Sequence, residues 1–503
     1  MYKRQVHHRR RGGRHPWCGR SFGVFVVAER GRFAVPLRTN GTSGRPDGVY
    51  MVGETVFALL VNTEVCDMAD AAGRLSKLAE EVLGAPLPVR IRAWDRSEYG
   101  PPGAPTLVIR HRRALRRLMF KPGELGLARA WVAGEIDVEG DLYEALDLLS
   151  GLVWERGTAA DKPQRAAALR ALAKPEIRAA ARELVTLAGI PVPPKPPAEE
   201  APKSHGPLHT LRRDKEAISH HYDVGNDFYE LVLGPSMVYS CAYWESPDAT
   251  LEEAQRDKLD LICRKLRLEE GQRLLDVGCG WGSMALHAAR EYGVRVVGIT
   301  LSEEQAAYGR KRVAEAGLAD RIEIRVQDYR EVHDEPFDAI SSIGMAEHVG
   351  RARYAEYAAD LYALLKPGGR LLNHQIARRP LADEDAYHVD EFIDRYVFPD
   401  GELAPVGRTV GQLEDAGFEV RDVEAIREHY ALTLRAWVAN LEAHWKEAVR
   451  LSTPGRARVW RLYMAASALS FERNRIGVNQ VLAVRTPDSG ASGLPLRARE
   501  WRG

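Results

Sequence analysis

Five short apolar or alternating runs follow one another between residues 272 and 376: "QRLLDVG", "RVVGIT", "IEIRVQD", "FDAISSIG" and "GGRLLNHQI". Helical stretches separate the first four, and "RYAEYAADLYALL" precedes the fifth. Strands and helices alternating at this pitch predict an α/β fold with a doubly wound, mostly parallel sheet. The C-terminal "NQVLAVR" is expected to add one more strand, at an edge. There is no internal repeat.

The first run closes on "LLDVGCGWG", residues 274–282. In open α/β sheets, ligands sit at the carboxyl ends of strands, near the switch in strand order. A glycine-rich turn there lets backbone approach a ligand closely, and Gly278, Gly280 and Gly282 provide one. No Lys-Ser/Thr pair follows, which disfavours a triphosphate loop. The spacing is G-x-G-x-G, and the second strand ends in "VVGITLSEEQ" with no acid at its tip for a dinucleotide ribose, so a nicotinamide dinucleotide is disfavoured too.

A chain of 503 residues is long enough for two or three domains. Lys plus Arg number 71 and Asp plus Glu 70, so bulk charge names no partner. Five cysteines, Cys18, Cys66, Cys241, Cys263 and Cys279, are odd in number and lack metal-type pairing. That suits a reducing compartment, with neither a disulfide framework nor a metal site expected. Apolar runs such as Val56–Val61 fall far short of the roughly 20 residues of a membrane span. The basic start "MYKRQVHHRRRGGR" has no signal-peptide core close behind it. A soluble, cytoplasmic protein is expected.

Residues 1–67 lack helical periodicity and are expected to be a disordered basic arm or an extension preceding a natural start at Met68. "MADAAGRLSKLAEEVLG" opens an amphipathic helix and a smaller mixed α/β N-terminal domain, 68–189. Within it, "TLVIRHRRALRRLMF" predicts a strand and a basic helix, and "ELGLARAWVAGEIDVEGDLYEALDLL" a helix, turn and helix. Residues 190–206 form a Pro-rich linker, 207–485 the main domain and 486–503 a tail.

The string "LLDVGCGWG…VVGITLSEEQ…QDYRE" resembles the class I S-adenosylmethionine-dependent methyltransferases. With "ISHHYDVGNDFYELVLGPSMVYSCAYW" before it and "SIGMAEHVG", "LLNHQI" and "EHYALTLRAW" after it, the chain resembles the cyclopropane-fatty-acyl-phospholipid synthases and the related mycolic acid cyclopropane synthases. The resemblance covers about 68 to 485 and is strongest from 217 to 480. The N-terminal domain matches the longer, phospholipid-acting branch.

The resemblance implies a reaction on a cis double bond of a phospholipid acyl chain. The alkene takes the sulfonium methyl, a carbocation forms, a proton leaves the new methyl and the ring closes. Such a site must exclude water, hold a base and stabilise a cation. In the family a bound bicarbonate ion is that base. Its holders carry over as Cys241 of "YSCAYW", Glu347 of "AEHVG", His374 and the Ile376 backbone of "NHQI", and Tyr430 of "HYALTL". For the cofactor the resemblance implies Tyr239 and Ser240 near the sulfonium, and Asp276 with Gly278, Gly280 and Gly282 at the turn. Thr300, Leu301 and Gln305 would meet the ribose, and Asp328 and Tyr329 the adenine.

The chain departs from the family at Ala346, where an aromatic is common, and at Gln375, where a smaller residue is usual. Both are expected to reshape the acyl tunnel or the fate of the cation. A sister activity stops at a methylene-branched chain and is the alternative; an inactive lipid-binding protein is a third reading, disfavoured by the intact Cys241, Glu347, His374 and Tyr430.

Bland readings compete at several places. Cys279 is expected to pack only. His220 and His221 lack metal partners, and "HYDVGNDFY" is expected to be a lid bending at Gly225. Trp437, Leu441 and Trp445 form a stripe suited either to a core or to an acyl channel. Arg110, His111, Arg112, Arg113, Arg116 and Arg117 suit a solvated helix face or peripheral docking on the inner face of an anionic membrane. Nucleic-acid binding is disfavoured for want of interleaved aromatics, and a homodimer is in keeping with the resemblance.

Overall fold

The computed structural model describes residues 48–52, 55–59, 70–157, 175–190, 192–201, 210, 213 and 224–497. The chain divides into two compact units, Met1–Val65 with Lys162–Arg182, and Cys66–Asp161 with Glu183–Gly503. Most of the first unit, Cys18 included, lies outside the described residues, as do Cys66, His220 and His221 of the second. Its described strands, β1 (Gly48–Val52) and β2 (Thr55–Leu59), pair antiparallel.

The second unit contains two sheets. The smaller has the order β4-β3-β5-β6, from β3 (Arg90–Arg92), β4 (Glu98–Tyr99), β5 (Thr106–Ile109) and β6 (Ile136–Glu139). The helix Ala71–Leu83 begins where the Asp70 carboxylate accepts from the Gly73 N–H and ends on Gly84. The strand and basic helix occur as expected, the latter at Arg113–Phe120. "GEIDVEG" does not: it is β6, paired antiparallel with β5, where only a turn was expected. Its acids conceal it, yet Ile136 is buried and Asp137 pairs with Arg110 at 3.0 Å and Arg458 at 3.1 Å.

The larger sheet has seven strands in the order β12-β13-β11-β10-β7-β8-β9. The run β11 (Leu365–Arg378), β10 (Phe337–Ile343), β7 (Arg273–Val277), β8 (Arg295–Thr300) and β9 (Ile322–Val326) is parallel throughout, as the sequence pattern requires. The expected edge position of the last strand is wrong. β13 (Ile476–Val484) lies between β11 and β12 (Glu419–Ala425), antiparallel to both. "EVRDVEA" supplies the true edge, where Asp422 and Glu424 turn inward onto the buried Lys265 and Arg421 and Val423 face outward. β13 is therefore buried from Val478 to Val484. Strand order reverses between β7 and β10, which sets the binding crevice above their carboxyl ends.

The Pro-rich strap between the sheets is pinned at Glu200. This carboxylate accepts twice from Arg129 at 2.7 Å, and from Arg395 and the Tyr396 hydroxyl at 3.0 Å each. The basic run is also largely spent inside the fold. Arg117 is buried and takes Glu135 at 2.7 and 3.1 Å and the Lys195 carbonyl at 2.9 Å. Arg116 donates to the Ile190 carbonyl, and Arg112 lies over the Trp94 ring. Arg110 and Arg113 keep more than half of their side-chain surface exposed. It is therefore not a uniform solvated face.

Candidate functional site

The glycine turn follows β7. Its three glycines all adopt positive φ: 77° at Gly278, 54° at Gly280 and 81° at Gly282. That region is costly for any residue with a Cβ. A Cβ on Gly278 would meet Met345 Cγ at 2.9 Å. One on Gly280 would find only Gln305 Nε2, 4.0 Å away, so the backbone there borders an open cradle. Asp276, before the turn, is buried; its Oδ1 accepts from Ser341 at 2.7 Å, and its Oδ2 has no partner. Burial pushes its carboxyl up to about 6.

At the end of β8 the Thr300 hydroxyl donates to Gln305 Oε1 at 2.9 Å and accepts from the Ser302 N–H. Leu301 sits between them, half-buried. At the end of β9 the Asp328 carboxylate takes both arms of the Arg330 guanidinium at 2.7 Å. Tyr329 packs edge-on against Tyr357 with ring centroids 5.4 Å apart.

On the other side of the turn, β10 leads into a short 3-10 turn, Ala346–His348, that carries Glu347. The Gly344 N–H donates to the His374 carbonyl at 2.8 Å, which ties this turn to β11. Glu347 Oε1 accepts from the Ile376 N–H at 2.7 Å. The Ile376 backbone thus holds the glutamate, where the resemblance implied that it holds an anion. The Glu347 residue is only half-buried, but its Oε2 is buried and without a partner. Burial pushes the carboxyl up to about 7, against the opposing pull of the Ile376 N–H.

His374 is buried two residues before Ile376 and shares its strand face. The Gln480 amide nitrogen lies 3.3 Å from His374 Nδ1. Nδ1 is then the acceptor and Nε2 carries the hydrogen. Nε2 is buried with no partner. Burial, then the charges of Lys258 and Lys265, hold this imidazole well below its usual range, so it stays neutral.

Cys241 is fully buried; its thiol points to the carbonyls of Ala242 at 3.2 Å and Ile426 at 3.7 Å. Ile426 precedes the helix Arg427–Ala443, which carries Tyr430. Tyr430 packs on Phe471 and, edge-on, on Trp437. Trp437 in turn faces Tyr239, whose ring is also flanked by Tyr229 and Trp460 at 5.4–5.8 Å. These packed rings make a dry aromatic cluster, of the kind that can offer π density to a cation. Trp437 and Leu441 are fully buried within the same core cluster, with Trp445 packed against it.

The structure thus joins Glu347 to Ile376 directly, and links Cys241 to the start of the Tyr430 helix. Gln375 lies on the opposite face of β11 from His374, bonded to Tyr354, Asn373 and Thr409, so it does not line that face. Ala346 is buried in the core cluster beside Tyr354. Four neighbours escaped the sequence reading: Lys258, Ser341, Tyr463 and Gln480. Tyr463 lies 3.5 Å from the Tyr239 hydroxyl and feels the Glu347 charge. Nothing in "WRLYMAAS" sets it apart from an ordinary helix core position.

Residues 209–481 match the mycolic acid cyclopropane synthetase family. A probable fatty acid methyltransferase of Mycobacterium tuberculosis is 46% identical over 420 residues, covering 82% of this chain and 94% of that protein. The cyclopropane-fatty-acyl-phospholipid synthase of Escherichia coli is 40% identical over 270 residues, 54% of this chain and 68% of that one. Among solved structures, the mycolic acid cyclopropane synthase CmaA1 in complex with SAH and CTAB is similar at 34% identity and a TM-score of 0.51. It covers 54% of this chain and 98% of its own.

Proposed function

The chain belongs to the mycolic acid cyclopropane synthetase family and is an S-adenosylmethionine-dependent methyltransferase with the class I fold, and on that premise we propose that it closes a cyclopropane ring on the cis double bond of an unsaturated phospholipid acyl chain. The observation that carries this reading is a pair of buried polar atoms without partners, Glu347 Oε2 and His374 Nε2. They are an acceptor and a donor, which is what a protonated oxyanion such as bicarbonate requires. When bound, S-adenosylmethionine supplies an activated methyl and bicarbonate a compact base.

The residues then divide the work. Gly278, Gly280 and Gly282 border the cofactor cradle with backbone, and Gln305 faces it. His374 donates from Nε2 and Glu347 accepts at Oε2, while the Ile376 N–H keeps the carboxylate oriented. Cys241 and Tyr430 complete the proposed wall. The aromatic rings around Tyr239 keep water from a cationic acyl chain.

Incubation with S-adenosylmethionine and unsaturated phospholipid vesicles tests the proposal. Proton NMR of the recovered acyl esters should show cyclopropane methylene signals. A second reading, a methylene-branched chain, is favoured by the name of the fatty acid methyltransferase relative; its olefinic signals would replace the first reading with the second.

The proposed substrate lies in a bilayer, and no helix among the described residues is long and apolar enough to cross one. We propose peripheral docking through the exposed Arg110 and Arg113. An Arg110→Ala/Arg113→Ala variant that binds anionic vesicles as well as the parent would refute it.

A further inference from the structure

The helix Leu251–Leu266 carries two lysines, Lys258 and Lys265, both with no exposed surface. Only one of them has a counter-charge in contact among the described residues. Lys265 pairs with Glu424 at 2.6 Å and Asp422 at 3.2 Å, both on β12. Lys258 donates to the Ser240 hydroxyl at 2.8 Å, and no carboxylate among the described residues forms an ion pair with it. A buried ammonium without a counter-charge costs several kcal/mol in general, unless it loses its proton or gains an anion.

The surroundings say where that anion would sit. Ser240 precedes Cys241, and its carbonyl is held by Gln255 at 2.9 Å. The charge of Lys258 is felt by Cys241, Asp276 and His374, which come from the 236–244 segment, β7 and β11. Of these, His374 presents the unpartnered Nε2 and Asp276 the unpartnered Oδ2. Only Asp276 can bear a negative charge near neutral pH, and it is outside ion-pair contact. Burial lowers the Lys258 ammonium to about 8, so it remains mostly charged at neutral pH.

We propose that Lys258 is a positioning residue whose fixed positive charge retains the small anion held by Glu347 and His374. The inference rests on the anion site of the proposed function and adds the counter-ion that site needs. Sequence reading passes over it because "QRDKLDL" looks like an ordinary charged helix face.

The test is a bicarbonate titration of the cofactor-free protein, read as thermal stabilisation, for the parent and Lys258→Met. The half-stabilising concentration should rise by about tenfold or more in the variant, the effect of losing one charged partner. An unchanged near-ultraviolet circular dichroism spectrum would exclude general damage. Equal half-points in the two proteins would overturn the role of Lys258 and leave the anion site standing. No stabilisation of the parent at any concentration would remove the anion site, and Lys258 with it. If Lys258→Met does not melt cooperatively, Lys258→Gln takes its place, with the same rise expected and equal half-points again overturning the proposal.

Discussion

The two sides of the glycine turn satisfy their buried polar groups in different ways. Towards β8 and β9 the side chains serve one another: Thr300 bonds Gln305, and Asp328 bonds Arg330. Towards β10 and β11 they do so only in part: Gln375, Asn373, Tyr354 and Thr409 bond one another, but Glu347 Oε2 and His374 Nε2 are buried with no partner. Buried polar groups are rarely left unpaired in folded proteins, and the proposed anion would complete these two. On the proposed reading the first side holds the cofactor largely by shape and backbone, and the second side carries the chemistry.

The largest expected effect comes from neutralising the second side. Glu347→Gln should lower turnover by about 10²–10⁴-fold while S-adenosylmethionine affinity changes less than about twofold. Loss of cofactor binding in that variant, measured by calorimetry, would erase the distinction between the sides. Gly278→Ala acts on the first side. Its positive φ costs an alanine about 1–2 kcal/mol, and the new Cβ meets Met345, so cofactor affinity should fall about tenfold or more. Normal affinity would show that the turn is not a backbone cradle. The smallest effect belongs to Thr300→Val. Losing its bond to Gln305 should cost about 0.5–1.5 kcal/mol of stability in a denaturant melt, with cofactor affinity reduced by less than about tenfold.

The sequence made the parallel core of the large sheet legible because each of its strands is a short apolar run. It hid β12, whose acids Asp422 and Glu424 turn inward to meet Lys265 while Val423 faces out, the reverse of an apolar-in pattern, and so misplaced β13 outside it. It hid β6 for the same reason, since acids that pair with arginines resemble a polar turn. The glycine turn, Glu347 and His374 stood out through their motifs. Lys258 and Tyr463 did not, because a helix shows only that a position is polar or apolar, and burial without a partner is a property of the folded chain. Glu200 is a similar case, a buried acid inside a proline-rich stretch that reads as solvated linker.

The central claim is that Glu347 and His374 are completed by a small anion, and carbon dioxide depletion tests it most directly. Turnover of the unmodified protein, measured in degassed buffer and again after added bicarbonate, should collapse in the first condition and recover in the second. Full turnover in rigorously depleted buffer would contradict the account.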